Sequence, residues 1–366
     1  MADTNPDPSA AVRRDRLRAA VRSAGLDAAL VTKLVNVRYL TGFTGSNGAL
    51  LIGADGTDVL CTDGRYTLQS ARQAPDVQRL IDRASAPALA TRAAERGLRR
   101  LGYESHDVTV DLAATLTDRA GGAELVSLAE AVERLRAAKD DAELALLRQA
   151  CAIADRALAE LIAAGGIAAG RTELAVGRDL DNRMLGLGAD APSFETIVAS
   201  GPNSAVPHHR PTGRELVTGD FVKLDFGATY GGYHSDMTRT LVLGPPAGWQ
   251  REVYELVAVA QAAGRAALAP GADVVEVDRA ARDVIVAAGH GDNFGHGLGH
   301  GVGLEIHEAP TVSQLGSGRL ADRMPVTVEP GVYLEGRGGV RIEDTLVVRP
   351  DGPELLTTTT KDLIVL

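Results

Sequence analysis

Four carboxylates stand inside short apolar or glycine-flanked segments of the second half of the chain, where a solvated charge is out of place. They are Asp225 in VKLDFG, Asp236 in YHSDMT, Glu329 in VTVEPG and Glu343 in GVRIED. Burying a carboxylate costs several kcal/mol unless an ion pair or a metal ion balances it. Any one of the four could be a strand-edge residue or half of an ion pair. Four together indicate a shared site.

A glycine-rich segment supplies one imidazole to this set. In HGLGHGVG the residues His296 and His300 are four apart, the spacing that zinc peptidases use on a helix. Glycine at every second position makes a helix improbable, since each glycine costs about 1 kcal/mol relative to alanine. The spacing also differs from the G-x-G-x-x-G of a dinucleotide loop. We therefore expect an extended segment in which glycine allows close approach of the backbone to a site.

The four carboxylates and His300 form an oxygen-rich ligand set with one nitrogen. Four negative charges balance two divalent cations, and two of the carboxylates can bridge them. This composition predicts a two-metal hydrolytic centre, in which the ions lie about 3.5–4 Å apart.

The pattern of apolar residues predicts two domains of different character. In residues 1–130, short strands alternate with helical stretches of 10–15 residues, as in a small α/β domain. In residues 131–366, helices over about 172–187, 249–268 and 273–289 accompany extended hairpin segments, which indicates an α+β layer. Because each of two strand pairs carries two carboxylates, we expect a pseudo-twofold catalytic domain with its site on the axis. Residues 1–8 are expected to form a frayed terminus.

Charge and composition exclude several classes of function. The net charge is −10, from 48 acidic and 38 basic residues, so the surface has no basic excess to attract nucleic acid or anionic lipid. No stretch approaches the roughly 18 apolar residues of a spanning helix, and the first residues have no signal core. Cys61 and Cys151 are far apart and in apolar context, which favours buried thiols. We expect a cytoplasmic protein without nucleic-acid or membrane partners.

The order of these residues resembles the pita-bread metallopeptidases, the family of methionine aminopeptidase, aminopeptidase P and prolidase. Four motifs resemble its proline-specific branch, namely IVASGPN leading to His208, GHGVGLEIHE around His300 and His307, EPGVY from Glu329 and GVRIED ending after Glu343. The first domain resembles the creatinase-type N-terminal domain of that branch. The resemblance implies an α+β fold of two domains, with a pita-bread domain as the catalytic one.

The resemblance also implies a role for each site residue. Asp225 would bind one metal ion, His300 and Glu329 the other, and Asp236 and Glu343 both. Water shared by the ions would be the nucleophile, and Glu329 would also carry its proton to the leaving nitrogen. The remaining roles are supporting ones: His208 and His307 polarise the scissile carbonyl, and His296, Arg341, Tyr333 and Thr238 support the centre.

The segments around His208 and His307 allow more than one local structure. His208 is followed by His209 and Arg210, a polar run that a solvated loop would also contain. The alternation of Glu305 and His307 with apolar neighbours predicts a strand that presents the imidazole to a cavity. A buried histidine with a structural role is the alternative at His307.

The implied activity is hydrolysis of the bond before a proline at the second position of a peptide. We expect an Xaa-Pro aminopeptidase, with the Xaa-Pro dipeptidase, prolidase, as the alternative. A non-catalytic binding protein on the same fold and a metal-free creatinase-like enzyme are disfavoured, because all five ligand positions are occupied. Manganese is the expected metal, with cobalt, iron or zinc possible for such a ligand set. The N-terminal domain resembles one that packs across a partner subunit's site, so we expect a homodimer.

Overall fold

The structure is a computed structural model that describes residues 9–366, and the frayed terminus predicted for residues 1–8 lies outside the described residues. The chain divides into two compact units, of which the first ends at Arg136 and the second runs from Ala137 to Leu366. Cys61 and Cys151 are both buried as free thiols. Within residues 9–366, every helix is too short or too polar to cross a bilayer.

The N-terminal unit is built on a mixed six-stranded sheet. Its strands are β1 (Ala28–Val31), β2 (Gly48–Gly53), β3 (Asp58–Thr62), β4 (Gln78–Ile81), β5 (Arg100–Tyr103) and β6 (Glu124–Ser127), in the order β4-β3-β2-β1-β5-β6. Its helices are α1 (Ala10–Ser23), α2 (Leu34–Thr41), α3 (Thr67–Gln73), α4 (Ser85–Glu95), α5 (Val110–Arg119) and, at the boundary, α6 (Ala131–Ala137). The β1–β2 and β2–β3 pairs are antiparallel and the other three pairs are parallel. Leu30, Leu51 and Leu101 from three adjacent strands are fully buried in one cluster with Leu89 of α4.

Four helices belong to the second unit, and a capping side chain marks the start of three of them. They are α7 (Asp141–Ala163), α8 (Glu173–Gly186), α9 (Gly248–Ala266) and α10 (Val274–Ala287). Asp140 caps α7 by accepting from the Glu143 backbone, while the Glu143 carboxylate accepts from the Asp140 backbone. Thr172 caps α8 by accepting from the Ala175 amide, and Asp273 caps α10 by accepting from the Val275 amide. Each cap satisfies amide groups that the first turn of a helix leaves without partners.

The strands of the second unit form antiparallel sheets. They are β7 (Ala191–Pro192), β8 (Ile197–Ser200), β9 (Phe221–Phe226), β10 (Ala228–Tyr230), β11 (Tyr233–His234), β12 (Met237–Val242), β13 (Gly299–Gly301), β14 (Glu308–Val312), β15 (Pro325–Val328), β16 (Gly331–Leu334), β17 (Gly338–Arg341), β18 (Asp344–Val347) and β19 (Glu354–Leu355). The sheet orders are β12-β9-β8, β14-β13-β15-β18-β19, β11-β10-β7 and β16-β17.

Two hydrophobic clusters fill this unit, one for each half. Leu158 of α7, Leu180 of α8 and Leu224 of β9 are fully buried in the first. Val257 of α9 and Val326 of β15 are fully buried in the second, which also includes α10 and β18. Each half therefore packs a pair of helices against an antiparallel pair of strands, β9 with β12 and β15 with β18. This repetition agrees with the pseudo-twofold arrangement that the sequence predicts.

Replacement of Leu158 by alanine should destabilise the second unit by about 2–5 kcal/mol, because the surrounding cluster can fill the resulting cavity only in part. Leu185→Ala on α8 is the matched control, since that leucine is 44% exposed and should cost about 0.5 kcal/mol or less. Urea unfolding followed by circular dichroism measures both. Equal losses in the two variants would contradict the assignment of Leu158 to the core.

Candidate metal centre

The four carboxylates lie at the ends of two antiparallel strand pairs. Asp225 is near the end of β9 and Asp236 directly precedes β12, where Asp225 is in register with Thr238. Glu329 directly follows β15 and Glu343 directly precedes β18. The Glu343 amide donates to the Thr238 carbonyl oxygen at 3.1 Å. This bond joins the two strand pairs and brings their carboxylate-bearing ends together.

His300 is held on β13 by glycines that leave no room for a side chain. A Cβ atom on Gly299 would lie 2.0 Å from the Thr327 carbonyl oxygen, and one on Gly301 would lie 2.2 Å from that of Ala309. The His300 Nδ1 donates to the Gly301 carbonyl oxygen at 3.0 Å. Because a carbonyl only accepts, this bond places the proton on Nδ1 and leaves Nε2 unprotonated in the neutral ring. Nε2 is therefore available as a ligand.

The ligand atoms converge on one place. His300 Nε2 lies 3.5 Å from Asp236 Oδ2 and 3.6 Å from Glu329 Oε1. Single ligand atoms of Asp236, His300 and Glu343 all lie within 4.8 Å of one another. Asp225 Oδ1 is buried and accepts no hydrogen bond from any residue between 9 and 366. A buried carboxylate oxygen without a partner is costly, and a cation at the centre would satisfy it.

Burial makes it unfavourable for all four carboxyl groups to be ionised at the same time. Burial, together with the negative charge of the neighbouring carboxylates, raises the pKa of Asp236 and of Glu343 well above the ordinary range. Burial likewise raises the pKa of Glu329, against the opposing effect of His300 and Arg341. Divalent cations would remove this cost by balancing the negative charge. The oxygen-rich residues present thus fit bound divalent cations in ligand type and in charge.

Arg341 is the buried cation of the centre. Its guanidinium donates to Asp225 Oδ2 at 2.5 Å, to the Tyr333 hydroxyl at 2.8 Å and to Thr238 Oγ1 at 2.9 Å. The Thr238 hydroxyl in turn donates to Glu343 Oε2 at 2.6 Å. Arg341 therefore reaches the centre as expected, but its donors are directed at protein groups.

A cavity of about 330 Å³ opens onto the carboxylates. Its walls are polar where they meet the ligands and apolar at Phe194, Ile197 and Ile306. The other lining residues are Glu195, His208, His209, Arg210, Asp225, Asp236, His300, His307, Glu329 and Glu343. Both His208 and His307 thus face the same space as the four carboxylates and His300, which is where their expected role would place them.

His307 stacks edge-on against His300, with ring centroids 4.4 Å apart. Burial and the neighbouring His300 and His208 rings lower the pKa of His307, so it is neutral near neutral pH. The predicted strand at Glu305 and His307 is wrong, since the chain bends over residues 303–307 and β14 begins only at Glu308. The physical reason is local bonding. The Glu305 amide donates to the Glu308 side chain at 2.9 Å, which favours a turn over a ladder.

His296 is not one of the described residues that line this cavity. Its Nδ1 donates to the Gly297 carbonyl oxygen at 2.8 Å, so its Nε2 accepts from the Tyr333 hydroxyl at 2.9 Å. Burial, with the positive charge of Arg341, lowers the pKa of His296 to about 4. His296 thus supports Arg341 through Tyr333. It is one hydrogen bond further from the cavity than a group that contacts substrate.

Two buried charged residues near the site were missed by the sequence analysis. Lys223 is fully buried, and its ammonium group donates to the carbonyl oxygens of Val206 at 2.7 Å and Ser204 at 3.1 Å. Glu173 is fully buried at the start of α8 and binds the loop of residues 200–212, which we call the histidine loop. Lys223 could have been noticed, since it alternates with Asp225 on one face of an apolar strand. Glu173 has no such signal, because acidic residues are ordinary in the first turn of a helix.

Comparison with known families identifies the class of protein. Residues 145–350 match metallopeptidase family M24, and residues 13–138 match the creatinase/prolidase N-terminal domain. The chain belongs to the M24 metallopeptidases and carries the creatinase-type N-terminal domain. The predicted family and the predicted α+β fold class of two domains are confirmed.

Individual relatives resemble the chain over more than nine-tenths of its length. The Xaa-Pro dipeptidase of Pyrococcus horikoshii is 35% identical over 93% of this chain and 95% of its own. Among solved structures, the Xaa-Pro dipeptidase from Bacillus anthracis is 39% identical, with a TM-score of 0.93 over 98% of this chain and 100% of that one. The X-Pro aminopeptidase from Thermotoga maritima is 34% identical, with a TM-score of 0.89 over 96% and 99%. Similarity thus extends to enzymes of both exopeptidase types.

The carboxylate of Glu173 should make stability depend on pH. Burial raises its pKa, but hydrogen bonds from Asn203, His209, Ser200 and Thr212 outweigh burial and lower the pKa to about 2. Its ordinary pKa is about 4.3, so the unfolded chain binds the proton first. The stabilisation is therefore complete above about pH 5 and is lost as pH falls towards 2.

We expect the difference in unfolding free energy between wild type and Glu173→Gln to be constant from about pH 7 to 5 and to shrink between about pH 5 and 3. Urea titrations at fixed pH measure it. A difference that grows on acidification would contradict the low pKa of Glu173.

Proposed function

We propose that this chain is a two-metal Xaa-Pro exopeptidase of the dipeptidase type. The observation that carries the proposal is the convergence of four carboxylates and one imidazole on a single cavity, where Asp225 Oδ1 is buried without a partner among the described residues. An M24 chain with this donor set is suited to divalent cations, and it has no thiolate at the site that would select zinc. Manganese stays our prediction for the native metal.

The five ligands would be Asp225, Asp236, His300, Glu329 and Glu343. When bound, divalent ions at such a set supply Lewis acidity, which acidifies water and polarises a carbonyl group. The contribution of the protein is to fix these ligands on strand ends and to hold the His300 ring in one tautomer. Arg341 and Thr238 fix the carboxylate orientations through their hydrogen bonds, and orientation of this kind tunes affinity for metal.

Proline at the second position suits the cavity for a physical reason. The bond before proline has no amide hydrogen, so a peptidase cannot bind that donor and has to use shape. Phe194, Ile197 and Ile306 offer an apolar wall against which a pyrrolidine ring can pack. We propose that the proline ring binds there.

Three cavity residues would handle protons and charge. Glu329 would accept the proton of the attacking water and pass it to the proline nitrogen, which must be protonated to leave as an amine. His208 and His307 would donate ring N–H groups to the oxygen that becomes negative in the transition state. The lowered pKa of His307 keeps that ring neutral, and a neutral imidazole still has one N–H to donate.

The choice of a dipeptidase depends on how the substrate's C-terminal carboxylate is bound. A fixed cation suits this task, and Arg341 is committed to protein groups. Arg210 lines the cavity, and its only ion pair within the described residues is with Glu195, at 3.0 Å between two exposed side chains. Such a surface pair is weak, so a substrate carboxylate can replace Glu195. The relatives from P. horikoshii and B. anthracis, both named dipeptidases, favour this type over the aminopeptidase that the sequence analysis preferred.

An aminopeptidase is the second candidate, and the likeness to the T. maritima X-Pro aminopeptidase favours it. The expected homodimer and the expected cytoplasmic location stay predictions. So do the boundaries 1–130 and 131–366 of the predicted domains.

Removing a metal ligand should abolish hydrolysis without unfolding the chain. We expect His300→Ala and Asp236→Ala each to lower turnover by more than about 100-fold, which exceeds the loss typical of residues that only orient ligands. Circular dichroism should be unchanged, because the strand ends are held by backbone bonds. Elemental analysis should find close to two equivalents of transition metal in the wild type and less in both variants.

His290→Ala is the matched control, since His290 bonds to Asn293 and does not line the cavity. It should retain full activity and metal. A wild-type protein that holds less than one equivalent of metal and is not activated by Mn²⁺ or Co²⁺ would refute the two-metal proposal.

A competition between substrates tests the exopeptidase type. Given equal concentrations of an Xaa-Pro dipeptide and an Xaa-Pro-Xaa-Xaa peptide, the enzyme should consume the dipeptide first. Arg210→Gln should raise KM for the dipeptide by about tenfold or more, the cost of one charge-assisted hydrogen bond. Preferential release of the first residue from the longer peptide would make this an aminopeptidase.

A further inference from the structure

Glu173 is a fully buried carboxylate that the proposed mechanism does not use. Its Oε1 accepts from the Ser200 amide at 2.8 Å, the Ser200 hydroxyl at 2.8 Å and the Asn203 side chain at 3.0 Å. Its Oε2 accepts from His209 Nε2 at 2.9 Å, the Thr212 amide at 3.0 Å and the Thr212 hydroxyl at 2.7 Å. All six partners donate, so the site is built for a group that only accepts.

These partners lie at both ends and in the middle of the histidine loop. Apart from a short 3-10 helix at Gly201–Ala205, the loop has no regular secondary structure before β9 begins at Phe221. Two of its carbonyl groups also accept hydrogen bonds, that of Val206 from Lys223 and that of Pro207 from Arg341. A segment without its own backbone ladder depends on such external bonds for a fixed conformation.

The same loop carries residues that line the cavity. His208 and Arg210 flank His209 on the chain, and prolines at 207 and 211 enclose the three. Proline restricts both its own backbone and that of the residue before it. Fixing His209 through Glu173 thus leaves His208 little freedom to leave the cavity wall.

We infer that Glu173 is a positioning residue of this enzyme, which acts on the substrate by holding His208 in place through the histidine loop. The inference rests on the proposed function, since it assigns Glu173 to the same site. A position error of about 1 Å in a group that acts on the transition state can cost about 100-fold in rate. Loss of Glu173 should therefore lower kcat more than it raises KM.

A double-mutant cycle tests whether Glu173 acts through His208. Glu173→Gln keeps the shape of the side chain but replaces one acceptor oxygen by a donor, and we expect kcat/KM to fall by about tenfold or more. In the double variant with His208→Ala, activity should be within about twofold of His208→Ala alone, because the group that Glu173 positions is already missing. Losses that multiply would overturn the inference.

Asp155→Asn is the matched control for stability. Asp155 also holds a segment through backbone and hydroxyl donors, at Thr358 and Thr359, with distances of 2.6–2.9 Å. It does not line the cavity. The control should lower the unfolding temperature but leave kcat/KM within about twofold of wild type when folded. A folded Glu173→Gln enzyme with the same unchanged kcat/KM would overturn the inference.

Hydrogen exchange measured by mass spectrometry supplies a readout without substrate. Peptides covering residues 200–212 should exchange about tenfold faster in Glu173→Gln, and unchanged exchange there would overturn the inference. If the variant does not fold, Thr212→Val removes the hydroxyl that donates to Glu173 and accepts from the Arg214 amide, and it should give the same effects, smaller in size. Failure of the wild type to cleave any Xaa-Pro peptide would overturn the proposed function instead, and exchange would still decide whether Glu173 holds the loop.

Discussion

Mutual repulsion of buried carboxylates is the constraint on which the catalytic unit depends. Asp225, Asp236, Glu329 and Glu343 face one another across a small volume, and the pKa of three of them is raised by burial and by the charge of the others. One internal cation, Arg341, offsets part of that charge through Asp225. The remaining negative charge has to be balanced by bound cations or by protons. A fold that collects so much negative charge is therefore not designed chiefly for stability.

The architecture spreads this cost over elements that are stable for other reasons. Each carboxylate comes from the end of a strand whose apolar residues pack in a hydrophobic cluster. In each half, a pair of helices contributes residues to the same cluster. The site thus occupies the place where two well-packed halves meet, and its ligands inherit the rigidity of the strand ends. Rigidity of this kind is what places reacting groups within the tolerance that catalysis requires.

Much of this arrangement could be predicted from the sequence, and what failed has a physical explanation. The helices α8, α9 and α10 were expected close to where they lie, because apolar periodicity and capping residues act locally. The four carboxylates that converge on the cavity could be found because a carboxylate in an apolar strand is conspicuous. The turn at Glu305 and His307 was taken for a strand, since alternation alone cannot reveal a side chain that bonds to the backbone.

Glu173 and Lys223 could not be assigned roles, because their partners lie in the histidine loop and no local pattern connects them to it. The same holds for the position of His296 behind Tyr333. The role of a residue that acts through another residue is visible only in tertiary contacts, and a single sequence does not show those contacts. The choice between dipeptidase and aminopeptidase also depends on tertiary contacts, since it is decided at the open end of the cavity more than at the carboxylate centre.

The glycines around His300 have a consequence for how such an enzyme can change. Side chains on either neighbour would collide with backbone carbonyl groups at 2.0–2.2 Å, and backbone cannot move aside as a flexible side chain can. Selection for a different metal or a wider substrate range therefore has almost no freedom along β13. Adaptation is directed instead to other residues that line the cavity, such as Phe194 and Arg210, whose side chains can vary without disturbing the imidazole. The fold thus separates the residues around His300, which evolution must preserve, from cavity residues that it can replace.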